Sequence, residues 1–231
     1  MRQSPIILAL DTPSLDTACQ WISSTNEVIK IYKAGLEFFL THGAAGISKL
    51  REAGDFELFL DLKLHDIPNT VGSATRAVSA INPRFLTVHA SGGKDMVRAA
   101  VAAAPHIDIT AVTILTSLSE NDLQEIGFSA NALDSAVNLA KSSVDAGARA
   151  IVCSPLEVGR IREAIGPAPI IITPGVRPAG SDLGDQNRVM TPRDAIVAGS
   201  TLLVIGRPIT SLADPHLMLD MARKISDSTL I

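Results

Sequence analysis

The chain has few of the residues that mark several common protein classes. It has only two cysteines among its 231 residues, and the positions of Cys19 and Cys153 fit neither a disulfide framework nor a metal site. Aromatic residues make up 3% of the sequence. Trp21 and the scattered phenylalanines are typical of core or interface positions and not of a platform on which bases stack. These features predict a protein with reduced thiols in the cytoplasm.

Long apolar runs and basic clusters are also missing. No apolar segment reaches the length of a membrane span, and the first residues lead into a strand-length apolar run instead of a signal peptide. The formal net charge is −4 and no basic run occurs, which argues against a nucleic-acid partner. Neither a membrane nor a nucleic acid is therefore expected as a partner.

Strand-like and helix-like segments alternate regularly along the chain. The predicted strands are residues 5–10, 28–32, 58–62, 85–88, 107–114, 150–153, 170–173 and 202–205. Amphipathic stretches follow them, some beginning at a recognisable cap such as Ser14 or Thr191. Eight such units without a linker predict an α/β fold, a (β/α)8 (TIM) barrel formed by a single domain over residues 1–231. An open doubly wound sheet is the alternative, but no glycine-rich dinucleotide turn follows the first strand.

The segment of residues 58–70 carries a dense group of charges. Asp61 and Lys63 are two residues apart on a predicted strand, so their side chains share a face. Asp66 follows beyond the strand end, and Pro68 suits the first turn of a helix. Three charges within six residues, in a chain that is 19% charged, favour a functional site. The structural alternative is an ion pair at the barrel rim, with Asp66 as a helix cap.

The carboxyl ends of the strands form the active-site face of such a barrel. The residues predicted at this face are Asp11, Lys33, Asp61, Lys63, His89, Thr116, Pro174 and Arg207. The charges at the first three strand ends alternate in sign, a pattern that is not expected of surface charges without a function at the barrel rim. For His89 a structural role is favoured, because no carboxylate partner is evident from spacing.

The loops after the seventh and eighth strands predict a phosphate site. They contain Arg177 and the pair Gly206-Arg207, and a glycine N–H beside a guanidinium suits a phosphate dianion. The loop of residues 174–190 is long and polar, as lids are, and Gln186 is a candidate to reach a ligand from it. The alternatives are a surface arginine and a solvated loop.

These motifs resemble the orotidine 5′-phosphate decarboxylase family. The resemblance rests on Asp61-Leu62-Lys63-Leu64-His65-Asp66-Ile67-Pro68-Asn69-Thr70, which is similar to the family's signature. Further similarities are Ala9-Leu10-Asp11, Lys33-Ala34-Gly35, Val88-His89-Ala90, Leu115-Thr116-Ser117, Thr173-Pro174-Gly175-Val176-Arg177, Asp185-Gln186 and Ile205-Gly206-Arg207. The resemblance implies decarboxylation of orotidine 5′-monophosphate to uridine 5′-monophosphate and carbon dioxide, without a metal or other cofactor.

The resemblance also implies roles for single residues. Lys63 would stabilise and protonate the ring carbanion, Asp61 would lie beside the substrate carboxylate, and Lys33 and Asp66 would complete the catalytic charge network. Asp66 would enter the site of a partner subunit, so a homodimer with shared active sites is implied. The implied substrate-binding residues are Asp11 and Lys33 at the ribose, Thr70 from the partner, Thr116 at the pyrimidine, Pro174, and Arg177, Gln186, Gly206 and Arg207 at the phosphate.

Two other functions stay open. Sugar-phosphate enzymes that use Mg²⁺ and an enediolate resemble this chain at Asp-x-Lys-x-x-Asp, but they typically carry a glutamate at the position of Lys33. A lysine at that position repels a cation. A non-catalytic phosphate-binding barrel would keep Gly206 and Arg207 without needing the cluster of Asp61, Lys63 and Asp66. The retained cluster therefore favours an enzyme.

Overall fold

The computed structural model describes residues 3–178 and 190–230. In this part of the chain, eight parallel strands form a closed barrel in which each strand pairs with the next and the last pairs with the first. The strands are β1 Ile6–Ala9, β2 Ile31–Gly35, β3 Glu57–Leu64, β4 Phe85–His89, β5 Asp108–Val112, β6 Ala150–Val152, β7 Ile170–Thr173 and β8 Leu202–Ile205. The predicted (β/α)8 barrel is confirmed.

Helices cover the outside of the barrel. Within the described residues they are α1 Leu15–Thr25, α2 Leu36–Glu52, α3 Pro68–Ser79, α4 Lys94–Ala103, α5 Glu120–Glu125, α6 Ala132–Asp145, α7 Val158–Ile165, α8 Pro192–Val197, α9 Arg207–Thr210 and α10 Pro215–Ser228. Ser14 and Thr191 cap α1 and α8 as predicted, because their hydroxyls accept the N–H groups of Thr17 and Asp194. None of these helices is both long and apolar enough to cross a membrane.

Two apolar layers hold the barrel together. The larger lies between the strands and the surrounding helices, while a smaller one fills the barrel interior. The interior layer consists of Ile7, Ile31, Phe59, Phe85, Ala150, Ile172 and Leu202. Because side chains alternate along a strand, Phe59 sets the inward direction of β3, and Asp61 follows it toward the carboxyl end. The apolar layer thus forms the floor beneath the charged residues.

The prediction was wrong for the position of β2. The strand runs from Ile31 to Gly35 and not over residues 28–32, so Lys33 lies inside the strand and not after it. The apolar residues Val28 and Ile29 belong to the turn that ends α1, where their N–H groups donate to the carbonyl of Thr25. An apolar run alone does not separate a buried turn from the strand that follows it.

Candidate active site

Four charged side chains form one network at the carboxyl end of the barrel. Lys33 Nζ lies 3.0 Å from Asp11 Oδ1 and 3.6 Å from Asp61 Oδ2. Lys63 Nζ donates to Asp61 Oδ1 at 2.8 Å. The side chains of Lys33 and Asp61 are only 11% and 13% exposed, whereas that of Asp11 is 68% exposed. The structure therefore brings these four predicted residues together, with charges that alternate in the order Asp11, Lys33, Asp61, Lys63.

An irregularity in β3 determines where Lys63 points. The pairing of β3 with β4 passes from Leu60–Leu86 to Leu64–Val88, so β3 advances four residues while β4 advances two. Within this bulge Lys63 has a φ of 49°, a left-handed conformation that costs a residue with a Cβ roughly 1–2 kcal/mol. Simple alternation predicts a shared face for Asp61 and Lys63, and the structure reaches that arrangement through the bulge.

For Lys33 and Asp61, the two most buried charges of the network, ion pairing affects the pKa more than burial does. Burial alone would lower the pKa of Lys33, but the carboxylates of Asp61 and Asp11 hold that pKa above its usual value. Burial likewise would raise the pKa of Asp61, but Lys33 and Lys63, together with hydrogen bonds from Lys63 and Thr87, hold it below its usual value. Both groups are therefore charged at neutral pH.

Two adjoining cavities share Lys33, Asp61 and Lys63. One, of about 200 Å³, is lined mainly by apolar side chains, and Thr116 and Pro174 also face it. The other, of about 150 Å³, is lined in addition by Asp11 and by residues around Gly35, including Glu37. A larger cavity of about 380 Å³ lies at the opposite end of the barrel and includes none of the network residues. The charged network thus lies between an apolar pocket that suits a planar ring and a polar pocket that suits hydroxyl groups.

The predicted phosphate-binding residues do not all lie in the described part of the chain. Gly206 follows β8, and a Cβ added to it would lie 3.9 Å from Asp11 Oδ2, so this glycine is next to the network. Arg207 is exposed and begins α9, a helix that was not predicted. Arg177 is buried, and its guanidinium donates to the carbonyl of Val176 at 3.0 Å. Gln186 and most of the predicted lid lie outside the described residues.

Asp66 and Thr70 lie apart from the network. Both are exposed, and neither lines either of the two cavities. Asp66 Oδ1 accepts the N–H of Ile67 at 2.6 Å, and Ile67, not Asp66, occupies the N-cap position of α3 without a side-chain cap. The alternative interpretation of Asp66 as the helix cap is therefore not what the structure shows.

Residues near the network include some that were not predicted. The fully buried Thr87 on β4 contacts both Asp61 and Lys63. The sequence contained a signal for Thr87, because it is a polar residue in an apolar strand. It is two residues from Phe85, so its side chain also points into the barrel.

The imidazole rings of His89 and His65 lie 5.2 Å apart, measured between their centroids. Burial, followed by His65 and Lys63, lowers the pKa of His89, which favours a neutral imidazole.

Asp61→Asn is expected to reduce the free energy of unfolding at pH 7 by about 3 kcal/mol, because the Lys33 and Lys63 ammonium groups then face each other without the anion between them. The pKa of Asp61 is lower in the folded protein than in the unfolded chain. Its contribution is therefore complete above the ordinary aspartate value of about 3.9 and is lost as the pH falls through the lower folded value.

Urea unfolding of both proteins at pH 7 and at several values below pH 4 measures this difference. The gap between wild type and variant must narrow in acid, and a constant gap contradicts the prediction. Glu52→Gln is the matched control, because it removes the exposed pair in which Lys49 Nζ lies 3.0 Å from Glu52. Such a pair contributes less than about 1 kcal/mol.

Comparison with known proteins gives consistent similarities. The model of the family described as "Orotidine 5′-phosphate decarboxylase / HUMPS family" matches residues 4–221. The orotidine 5′-phosphate decarboxylase of Thermobifida fusca is 53% identical over 212 residues, covering 92% of this chain and 91% of that protein. The same-named protein of Frankia casuarinae is 45% identical over 230 residues, covering 92% and 84%. The crystal structure of orotidine 5′-phosphate decarboxylase from Lactobacillus acidophilus superposes with a TM-score of 0.83 at 35% identity, covering 97% of this chain and 100% of that chain.

Proposed function

Because the chain belongs to the orotidine 5′-phosphate decarboxylase / HUMPS family, we propose how its site performs the decarboxylation of orotidine 5′-monophosphate in pyrimidine biosynthesis. The reaction converts the substrate to uridine 5′-monophosphate and carbon dioxide. The observation that carries the mechanism is the alternating network of Asp11, Lys33, Asp61 and Lys63 beside an apolar cavity.

Lys63 is proposed to stabilise the reacting carbon and then to protonate it. When the bond to the carboxylate breaks, the electron pair stays on the ring carbon in the plane of the ring, where no π system delocalises it. An ammonium group held next to that carbon lowers the barrier by electrostatics. The Lys63 ammonium then transfers a proton to the carbon as a general acid, and the neutral amine regains a proton from solvent.

Asp61 and Lys33 are proposed to position this acid. Asp61 Oδ1 accepts from Lys63 Nζ at 2.8 Å, a contact that holds the Lys63 side chain where both cavities meet. The substrate carboxylate would lie beside Asp61, and repulsion between the two anions is relieved as carbon dioxide leaves. Lys33 is held between Asp11 and Asp61 and keeps Asp61 charged.

The two cavities support an orientation for the nucleotide. The pyrimidine is proposed to occupy the apolar cavity, where Thr116 and Pro174 face it, and the ribose hydroxyls to contact Asp11 and Lys33 in the polar one. The phosphate-binding residues are proposed to be Arg177, Gln186, Gly206 and Arg207. Binding energy from the phosphate, far from the reacting carbon, can then hold the substrate against the charged network.

A homodimer is proposed to complete each site. Asp66 and Thr70 are exposed in the protomer, and Ile67 between them is 66% exposed, so this face carries an apolar side chain that a partner could cover. A groove of about 290 Å³ adjoins them between α3 and α4. A second copy packed on this face would bury Ile67 and bring Asp66 and Thr70 to the partner's network.

We further propose that residues 1–231 act as one catalytic domain in the cytoplasm without a metal. The unpaired thiols of Cys19 and Cys153 support a reducing compartment. Against the metal-dependent alternative, Lys33 Nζ lies between the carboxylates of Asp11 and Asp61. A lysine there occupies the position between two carboxylates that a divalent cation would need, and its charge repels one.

An absorbance assay with orotidine 5′-monophosphate tests the proposed function. We expect rapid loss of substrate absorbance at a rate that a metal chelator changes by less than about twofold, since the charge stabilisation comes from lysine ammonium groups. Turnover of a sugar phosphate that requires Mg²⁺, with none of the nucleotide, would assign the chain to the metal-dependent alternative. Absence of turnover with either substrate, although uridine 5′-monophosphate binds, would favour a non-catalytic phosphate-binding barrel.

A further inference from the structure

The bulge in β3 leaves a backbone donor without its usual strand partner. Because β4 advances only from Leu86 to Val88 while β3 advances from Leu60 to Leu64, the N–H of Lys63 cannot join the regular ladder. A buried N–H without a partner costs free energy comparable to a lost hydrogen bond. In this structure the N–H of Lys63 donates instead to the side chain of Thr87, at 2.8 Å from Oγ1.

The same hydroxyl also binds the catalytic carboxylate. Thr87 Oγ1 donates to Asp61 Oδ1 at 3.0 Å, the oxygen that accepts from Lys63 Nζ at 2.8 Å. A hydroxyl has one hydrogen to donate, and here that hydrogen goes to a carboxylate while a lone pair receives the backbone N–H. The contacts close a ring that runs from the backbone of Lys63 through Thr87 and Asp61 to the ammonium of Lys63.

We propose that Thr87 is a positioning residue for the decarboxylation. Its hydroxyl holds Lys63 in the left-handed conformation, with φ of 49°, and fixes Asp61 against the Lys63 ammonium. Thr87 is fully buried and lines neither of the two cavities of the site, so it acts through Lys63 and Asp61 and not on the substrate. This inference rests on the proposed function and adds a residue to it.

The role of the hydroxyl predicts a loss of kcat with little change in KM. Thr87→Val keeps the shape of the side chain but removes both hydrogen bonds. We expect kcat for orotidine 5′-monophosphate to fall about 10- to 100-fold, because small displacements of catalytic groups have effects of this size. KM is expected to change less than about threefold, because the Thr87 hydroxyl bonds to Lys63 and Asp61 and not to the residues proposed to bind the phosphate or the ribose. Thr87→Ser keeps the hydroxyl and is expected to retain kcat within about threefold.

A change in the pH profile separates this role from simple packing. The hydrogen bond from Thr87 helps to lower the pKa of Asp61, so its removal raises that pKa, and the acid limb of kcat/KM moves to higher pH. Thr110→Val is the matched control. Thr110 lies opposite Thr87 in the register of β4 and β5 and is equally buried, but its hydroxyl donates only to the carbonyl of Asp108 at 2.9 Å.

The outcomes are distinct. A wild-type kcat and a wild-type pH profile in Thr87→Val would overturn the inference. An equal loss of kcat in Thr87→Val, Thr87→Ser and Thr110→Val would also overturn it, because such a loss would indicate a packing defect. If Thr87→Val does not fold, the comparison of Thr87→Ser with Thr87→Ala, which differ by the hydroxyl alone, gives the same test. Wild-type protein without turnover would instead refute the proposed function itself.

Discussion

Lys63→Ala is expected to lower kcat for orotidine 5′-monophosphate by roughly 10⁵-fold, while binding of uridine 5′-monophosphate weakens less than about tenfold. The loss is large because one side chain supplies two effects. General acid catalysis contributes about 10²–10⁴-fold, and electrostatic stabilisation of the carbanion contributes about 10²–10³-fold. Product binding largely survives, because the proposed phosphate and ribose contacts do not involve Lys63. Steady-state kinetics and calorimetric titration with uridine 5′-monophosphate measure the two quantities.

The fold is expected to tolerate this substitution. Residue 63 has a φ of 49°, and alanine carries the same Cβ as lysine, so the strain at this position does not increase. Lys94→Ala is the matched control, because Lys94 Nζ forms an exposed pair with Asp145 at 3.0 Å and Lys94 lines neither cavity of the site. The mechanism would be refuted if Lys63→Ala kept more than about 1% of the wild-type turnover, because general acid catalysis alone contributes about 10²-fold or more.

Asp66→Asn is expected to be inactive alone and to regain activity when mixed with Lys63→Ala. If each site combines Lys63 of one chain with Asp66 of its partner, a mixed dimer contains one site with both defects and one with neither. Random exchange makes half of the dimers mixed, and half of their sites intact, so about one quarter of the wild-type rate returns. The measurement is activity against mixing ratio, after the subunits have been allowed to exchange.

A second mixture provides the control for this experiment. Asp61 and Lys63 lie in the same protomer, with Lys63 Nζ 2.8 Å from Asp61 Oδ1. Mixing Lys63→Ala with Asp61→Asn therefore leaves a defect in every site, and no activity returns. Equal rescue in both mixtures, or rescue in neither, would contradict sites shared through Asp66.

Much of this protein could be predicted from its sequence because the relevant signals are local. The alternation of apolar runs and amphipathic stretches predicts eight strand–helix units, and parallel strands in that number close into a barrel. Since the strand ends of a barrel meet at one face, the proximity of Asp11, Lys33, Asp61 and Lys63 followed from their positions alone. The segment of residues 61–70 likewise predicted the family that the comparisons show.

Other features were decided only by the tertiary structure. The register of β2, the bulge at Lys63 and the contacts of Thr87 depend on which residues of neighbouring strands lie opposite each other. That pairing joins positions more than twenty residues apart, as in the contact of Thr87 with Asp61, and no local pattern encodes it. The sequence by itself determined which charged groups meet, whereas the packing of the barrel determined how they are held.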